Sequence, residues 1–218
     1  MTNERPIVCS GSEVRAILDG RKTQTRRVLS PQPRKNRYPT WIPPSSIDSG
    51  HFVTLSYYAT CAESLTCPYG QPGDRLWVRE AWSPGFAADD EVGGDPGRTI
   101  YATTVRGPEP ERWRSPIFMP RTRSRITLDV VSVRVERLQE ISDGDVAREG
   151  VDWNAIGGPL TSRTRSFAAD AFSRGWDSIN AKRGYSWESN PWAWVLTFSR
   201  VGDASTVACT KLEGVAKP

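Results

Sequence analysis

The spacing of hydrophobic and polar positions changes several times along this chain, and each change marks an element. Ile7, Val8 and Cys9 form a short apolar run that predicts a first strand. Ser10-Gly11-Ser12 then supplies a helix cap, and Val14, Ile17 and Leu18 recur at helical spacing. A short amphipathic helix is therefore expected up to Gly20, a residue suited to the left-handed position that ends a helix. Beyond it, Thr23, Thr25 and Val28 are β-branched residues in a polar run, which predicts a strand with Lys22 in the turn before it.

Residues 30–50 are rich in Pro and Ser and read as a loop; His51 to Thr60 reads as a strand. Pro68 to Asp74 is turn chemistry throughout and feeds a strand over Leu76–Glu80. A polar Gly/Asp/Pro stretch over 84–98 is expected to be mobile, Thr99–Val105 is expected as a strand, and Glu109–Met119 as a loop carrying Trp113 and Arg114. The longest strand signal runs from Arg125 to Leu138. Ile126, Leu128 and Val130 alternate in one phase and Val131, Val133 and Val135 in the other, so a bulge or bend is expected between them. Ser142-Asp143-Gly144-Asp145 caps a short helix closed by Gly150. Ala168, Phe172, Trp176 and Ile179 share one face of a second amphipathic helix, Lys182 to Tyr185 is a loop, and Trp192 to Arg200 is a closing strand. Residues 201–218 lack a pattern and are expected to be a disordered tail. No internal repeat is visible.

Composition adjusts this picture modestly. The 218 residues suffice for one domain with a real core, and nine tryptophans offset a hydrophobic content of 37%. Net charge is only +4, but Gly20 to Ile47 holds seven Lys or Arg and no Asp or Glu, and Arg121, Arg123 and Arg125 form a second cluster. Such local patches select polyanions even when the average is mild. Cys9, Cys61, Cys67 and Cys209 lack paired spacing, and His51 is the only histidine, so no metal and no cofactor is expected. Cys9 is expected as core, and Cys61 and Cys67 flank a loop in which they can approach one another. With no signal peptide or apolar span in view, a reduced cytoplasmic protein fits.

The densest chemistry lies in Asp19-Gly20-Arg21-Lys22-Thr23-Gln24-Thr25-Arg26-Arg27. A threonine hydroxyl is a weak nucleophile until a base takes its proton, and a lysine serves when neighbouring cations depress its pKa. Arg21, Arg26 and Arg27 are placed to do this, and to hold a phosphate or carbonyl oxygen. The competing reading is a solvated basic rim with Thr25 packed in a sheet. Positions three apart point to opposite faces of a flat strand, so Lys22 meets Thr25 only where a turn or bulge redirects it. In the strand from Leu76, Glu80 falls on the inward face and Trp77 and Arg79 on the other. Glu80 is either a pocket group or the partner of an arginine in a salt bridge. Tyr38 and Trp41 either stack on bases or fold back onto a barrel. Glu149 opposes the helix dipole at a helix end, which hints that it is held for another reason.

Four blocks carry a family resemblance: Gly20 to Arg26; Gly73-Asp74-Arg75-Leu76-Trp77-Val78-Arg79-Glu80; Ile141-Ser142-Asp143 through Ala147-Arg148-Glu149-Gly150; and Trp192 to Phe198. In order and spacing, over residues 5 to 200, they resemble the ASCH family, a branch of the PUA-like β-barrels. The resemblance implies an α+β fold: a mixed β-barrel flanked by short helices in one domain, 1–200, with insertions over 30–66 and 84–118. Small ASCH proteins include amidohydrolases that remove the acyl group from N4-acetylcytidine with a Lys, a Thr and a Glu, which fall on Lys22, Thr25 and Glu149. Arg21, Arg26, Glu80, Trp77 and Arg79 are the candidate substrate-binding residues. The chain is longer than those enzymes and is similar to the longer ASCH proteins of phages and prophages. Other members of the superfamily bind RNA or modified bases without catalysis. The implied partner is thus a cytidine-type nucleoside or single-stranded nucleic acid. A weaker third reading is RNA cleavage by Lys22 and an arginine.

Overall fold

The computed structural model of the protein describes residues 2–33, 37–42, 51–56, 63–84, 99–105, 109–151 and 165–202. Strand β1 (Glu4–Val8) leads into helix α1 (Gly11–Leu18). Ser10 caps that helix reciprocally with Glu13, whose carboxylate accepts from the Ser10 amide at 2.8 Å. Val14 and Ile17 are buried, as their spacing requires. Gly20 takes φ +72° and lets the chain double back, so that the amides of Arg21 and Lys22 both donate to the Ala16 carbonyl at 2.9 Å. Strand β2 (Gln24–Val28) follows.

The proline-rich stretch is not all loop. Strand β3 (Arg37–Ile42) pairs antiparallel with β4 (His51–Ser56), which pairs with β5 (Glu63–Leu65), in a separate three-stranded sheet. Pro39 lies on β3, an edge strand of that sheet, the kind of strand in which proline is tolerated. The side chains of Tyr38 and Trp41, Cys61, and residues 85–98 and 203–218 lie outside the described residues, and with them the stacking, disulfide, mobile-insertion and tail expectations.

Strand β6 (Arg75–Arg79) runs parallel to β1, and β7 (Trp82–Pro84) pairs with β8 (Thr99–Tyr101). The expected strand over Thr99–Val105 stops at Tyr101, and Thr104 turns back with its amide on the Tyr101 carbonyl at 3.1 Å. The long strand β9 (Thr127–Arg137) breaks phase where the sequence does. Opposite β10 (Trp192–Arg200), Ser132 pairs with Thr197 and Val130 with Phe198, leaving Val131 as the extra residue, 53% exposed. Leu128 and Val130 are buried, and Val133 and Val135 pack against the same core. Helices α2 (Asp143–Arg148) and α3 (Arg165–Asn180) complete the fold. On α3, Phe172 and Trp176 are buried, but Ile179 is exposed and Asn180 takes the inward position, its side-chain amide donating to the Trp176 carbonyl at 3.2 Å.

The architecture is therefore α+β with a mixed five-stranded sheet in the order β1-β6-β9-β10-β2. The barrel expectation needs correction at this level: among the described strands the ladder stays open, with β1 and β2 as its edges. A side chain spans the gap, as Arg27 of β2 donates to the Val8 carbonyl at the end of β1 at 2.9 Å. One core lies between the sheet and α1, built on Ile7, Val14, Leu76, Leu128 and Leu196. A second, with Leu138, Val146, Phe172 and Trp176, lies under α2 and α3. Among the described residues no helix is long and apolar enough to cross a membrane.

Candidate functional site

The reversal after α1 delivers Lys22 to the C-terminal end of α2, where Lys22 and Glu149 form an isolated antiparallel bridge. The Thr23 amide donates to the Arg148 carbonyl at 2.9 Å, and Thr23 returns its own carbonyl to the Phe198 amide at 2.9 Å. The junction requires glycine at position 150. Gly150 has φ +79°, and a Cβ there would lie 2.8 Å from the Cβ atoms of both Lys22 and Ala16.

Two buried cations hold the centre. Lys22 Nζ donates to Glu149 Oε2 at 2.9 Å and to the Glu149 carbonyl at 2.9 Å, and lies 3.8 Å from Glu13 Oε1. Arg26 spreads its guanidinium over three carboxylates: Glu149 at 3.1 Å, Glu136 at 3.0 Å and Asp145 at 3.2 Å. Arg27 reaches Glu13 at 3.3 Å, while Arg134 reaches Asp145 at 3.2 Å and also pairs with Glu136. The result is one continuous chain of ion pairs, Arg27–Glu13–Lys22–Glu149–Arg26–Asp145–Arg134, joining α1, β2, β9 and α2. Charges this deeply buried persist only when each is met by an opposite charge and hydrogen bonds.

The electrostatics follow from that pairing. Burial favours the protonated acid at Asp145, yet the Ser142 hydroxyl, Arg26, the Ser142 amide and Arg134 outweigh it and bring the carboxyl from 3.8 to about 2. Burial likewise opposes ionisation of Glu13, and Arg27 and Lys22 together hold it below the usual carboxylate range. Cys9 beside Arg27 is pushed by burial to about 12, so it is an inert core thiol.

The sequence candidates divide into two groups. Lys22, Glu149 and Arg26 meet directly. Thr25 is 2% exposed on β2 and, by strand alternation, shares a face with Arg27 while Gln24 and Arg26 share the other. The ammonium of Lys22 is directed to Glu149, and no hydrogen bond joins it to the Thr25 hydroxyl. Arg21 stands at the exposed rim, on Asp19 at 2.8 Å and the Gly150 carbonyl at 3.2 Å. Trp77, Arg79 and Glu80 belong elsewhere, on or just after β6, which β9 and β10 separate from β2. Arg79 stacks over Trp77 at 4.6 Å. Glu80 is 1% exposed and accepts from Arg125 through both oxygens at 2.9 Å, and from the Thr103 hydroxyl, which is the arginine-paired alternative.

Five cluster members have no role in the sequence reading: Glu13, Gln24, Arg134, Glu136 and Asp145. Asp145 and Glu149 stand four apart on α2, and Gln24 with Arg26 and Arg134 with Glu136 stand two apart on strands. These are same-face spacings, and polar residues at same-face positions of otherwise apolar elements are the signal that finds them. Gln24 is fixed through Oε1, which accepts from Arg134 at 3.3 Å. Its Nε2, with Nε of Arg26 and of Arg27, is a buried donor with no acceptor among the described residues. Among those residues no three His, Cys, Asp or Glu side chains cluster as metal ligands. Family models, curated proteins and solved structures contain no match to this chain.

Proposed function

We propose that this chain is an amidohydrolase that removes the acyl group from an N4-acylated cytosine nucleoside or nucleotide. The reading includes a cytoplasmic setting and a PUA-like arrangement of the sheet, supported by the Arg27 side chain bridging its two edges. It is carried chiefly by one observation: an ammonium and a carboxylate 127 residues apart in sequence, both almost fully buried, in contact at 2.9 Å.

The chemistry needs no other reagent than water. Lys22 passes a proton to Glu149 and turns from it toward Thr25, and the neutral amine then takes the threonine's proton as its oxygen attacks the acyl carbon. The oxyanion that forms calls for an arginine or backbone N–H donor. Glu149 returns its proton to the departing N4 nitrogen as the C–N bond breaks, and water then cleaves the threonine ester to release the acid. In the alternative order Thr25 binds the substrate and a water activated by Lys22 attacks.

A second reading has its own support. Lys22 and Arg26 are held by carboxylates, an arrangement that equally suits a rigid, non-catalytic module binding RNA or a modified base. Incubation with N4-acetylcytidine decides between them. Chromatographic release of cytidine, lost in Lys22→Ala, is the expected result. Absence of release at high enzyme concentration, with retained binding, leaves the module.

A further inference from the structure

Residues 112–125 contain Arg112, Arg114, Arg121, Arg123 and Arg125 and no Asp or Glu. In their midst the 3-10 turn Pro116–Phe118 turns Ile117 and Phe118 outward, 60% and 75% exposed, while Met119 is 1% exposed and anchors the segment. The backing is firm. The Arg114 amide donates to the Trp82 carbonyl at 2.8 Å, the Ser124 hydroxyl to the Val78 carbonyl at 2.8 Å, and the Tyr101 hydroxyl to the Arg123 carbonyl at 2.9 Å. Arg125 stacks over Tyr101 at 4.0 Å and Arg114 over Trp82 at 5.2 Å.

The charges on this segment are not equally spent. Arg121 is neutralised by Glu4 and Arg125 by Glu80. Arg112 and Arg114 are exposed and have no carboxylate partner among the described residues. An exposed phenylalanine on a rigid turn, preceded in the chain by two unneutralised guanidinium groups, combines the two contacts that hold an unpaired strand: stacking on a base and a grip on phosphate. We propose that this surface binds single-stranded nucleic acid, with Phe118 stacking on a base and Arg112 and Arg114 on neighbouring phosphates.

Helix α1 lies near both Thr103, which accepts from Arg125, and the Lys22 cluster. A side chain at Gly11 would meet the Thr103 methyl at 3.6 Å, and Glu13, two residues on, lies 3.8 Å from Lys22. The proposal deepens the deacylase reading in one respect that rests on it, namely that a polymer is then the substrate; strand binding itself does not depend on that reading.

The experiment uses a short fluorescein-labelled oligouridylate without acyl groups, so its outcome is separate from deacylation. Anisotropy should report binding that Phe118→Ala weakens about tenfold while leaving the salt dependence unchanged. Replacing Arg112 and Arg114 by Ala should lower the slope of log affinity against log salt by about 1.4. Phe118→Trp should retain affinity, and the Phe118 variants should leave the melting temperature unchanged. Absence of binding overturns the proposal. So does equal affinity for duplex, an unaltered affinity in Phe118→Ala, or stronger retention on anionic phosphatidylserine vesicles than on the oligomer.

Discussion

The Lys22 ammonium donates to two oxygens of one residue, the side-chain carboxylate and the main-chain carbonyl of Glu149, each at 2.9 Å. The ion pair and the backbone bridge between the same two residues therefore stand or fall together. That doubling makes the pair both a structural clasp between β2 and α2 and the natural proton relay of the proposed reaction.

Removing either partner leaves a buried charge with reduced compensation. Lys22→Met is expected to cost about 3 kcal/mol in urea denaturation, and Glu149→Gln a comparable amount. The double variant should cost clearly less than the two together, because each single change destroys the same contact. Strict additivity would show that the two side chains are not coupled.

Thr25→Val keeps the shape of the side chain and deletes only the hydroxyl. Turnover of N4-acetylcytidine should vanish while the far-ultraviolet circular dichroism spectrum is unchanged. A variant that still turns over at the parent rate removes Thr25 as nucleophile.

Gly150→Ala places a methyl group where 2.8 Å separates it from Lys22 Cβ and Ala16 Cβ, at a φ of +79° that alanine disfavours. The expected cost is about 2 kcal/mol or more in denaturant titration, with turnover falling alongside because Lys22 must shift. Gly73→Ala serves as the control: it also has positive φ, 92°, but meets no atom within 4 Å, so it should suffer the backbone penalty alone.

Acid should loosen the cluster in a defined window. The folded Asp145 carboxyl titrates near 2 rather than at its ordinary 3.8. Its contribution is thus fully present above pH 3.8 and is lost as pH falls through about 2. Denaturation midpoints measured from pH 5 downward should drop in that interval, and Asp145→Asn should flatten this part of the profile. A profile unaffected by the substitution would mean that Arg26 and Arg134 do not stabilise the ionised acid.

Much of the local structure is legible in the residues. The phase change between Val130 and Val131 becomes the bulge, because inward positions Val130 and Val133 are three apart and a strand buried on one face needs an extra residue, Val131, to keep both on it. The caps at Ser10 and Ser142 form as their Ser-x-x-acid spacing demands. The strand hidden in the proline-rich stretch escapes notice because proline signals loop, and only its edge position in a second sheet makes it tolerable. Lys22, Arg26 and Glu149 stand out by residue type. Glu13, Glu136, Asp145 and Arg134 do not, since each reads locally as a helix cap or a solvent-facing strand residue.

By itself, then, the amino-acid order determined the helices and strands of the main sheet, since periodicity, caps and turn glycines act over a few residues. Which charges face one another was decided only by the tertiary structure. The Lys22–Glu149 contact spans 127 positions and exists because β2 and α2 pack together, bringing the end of one helix against the exit of another. Burial then compels each charge to find its opposite, and no local pattern specifies that partner.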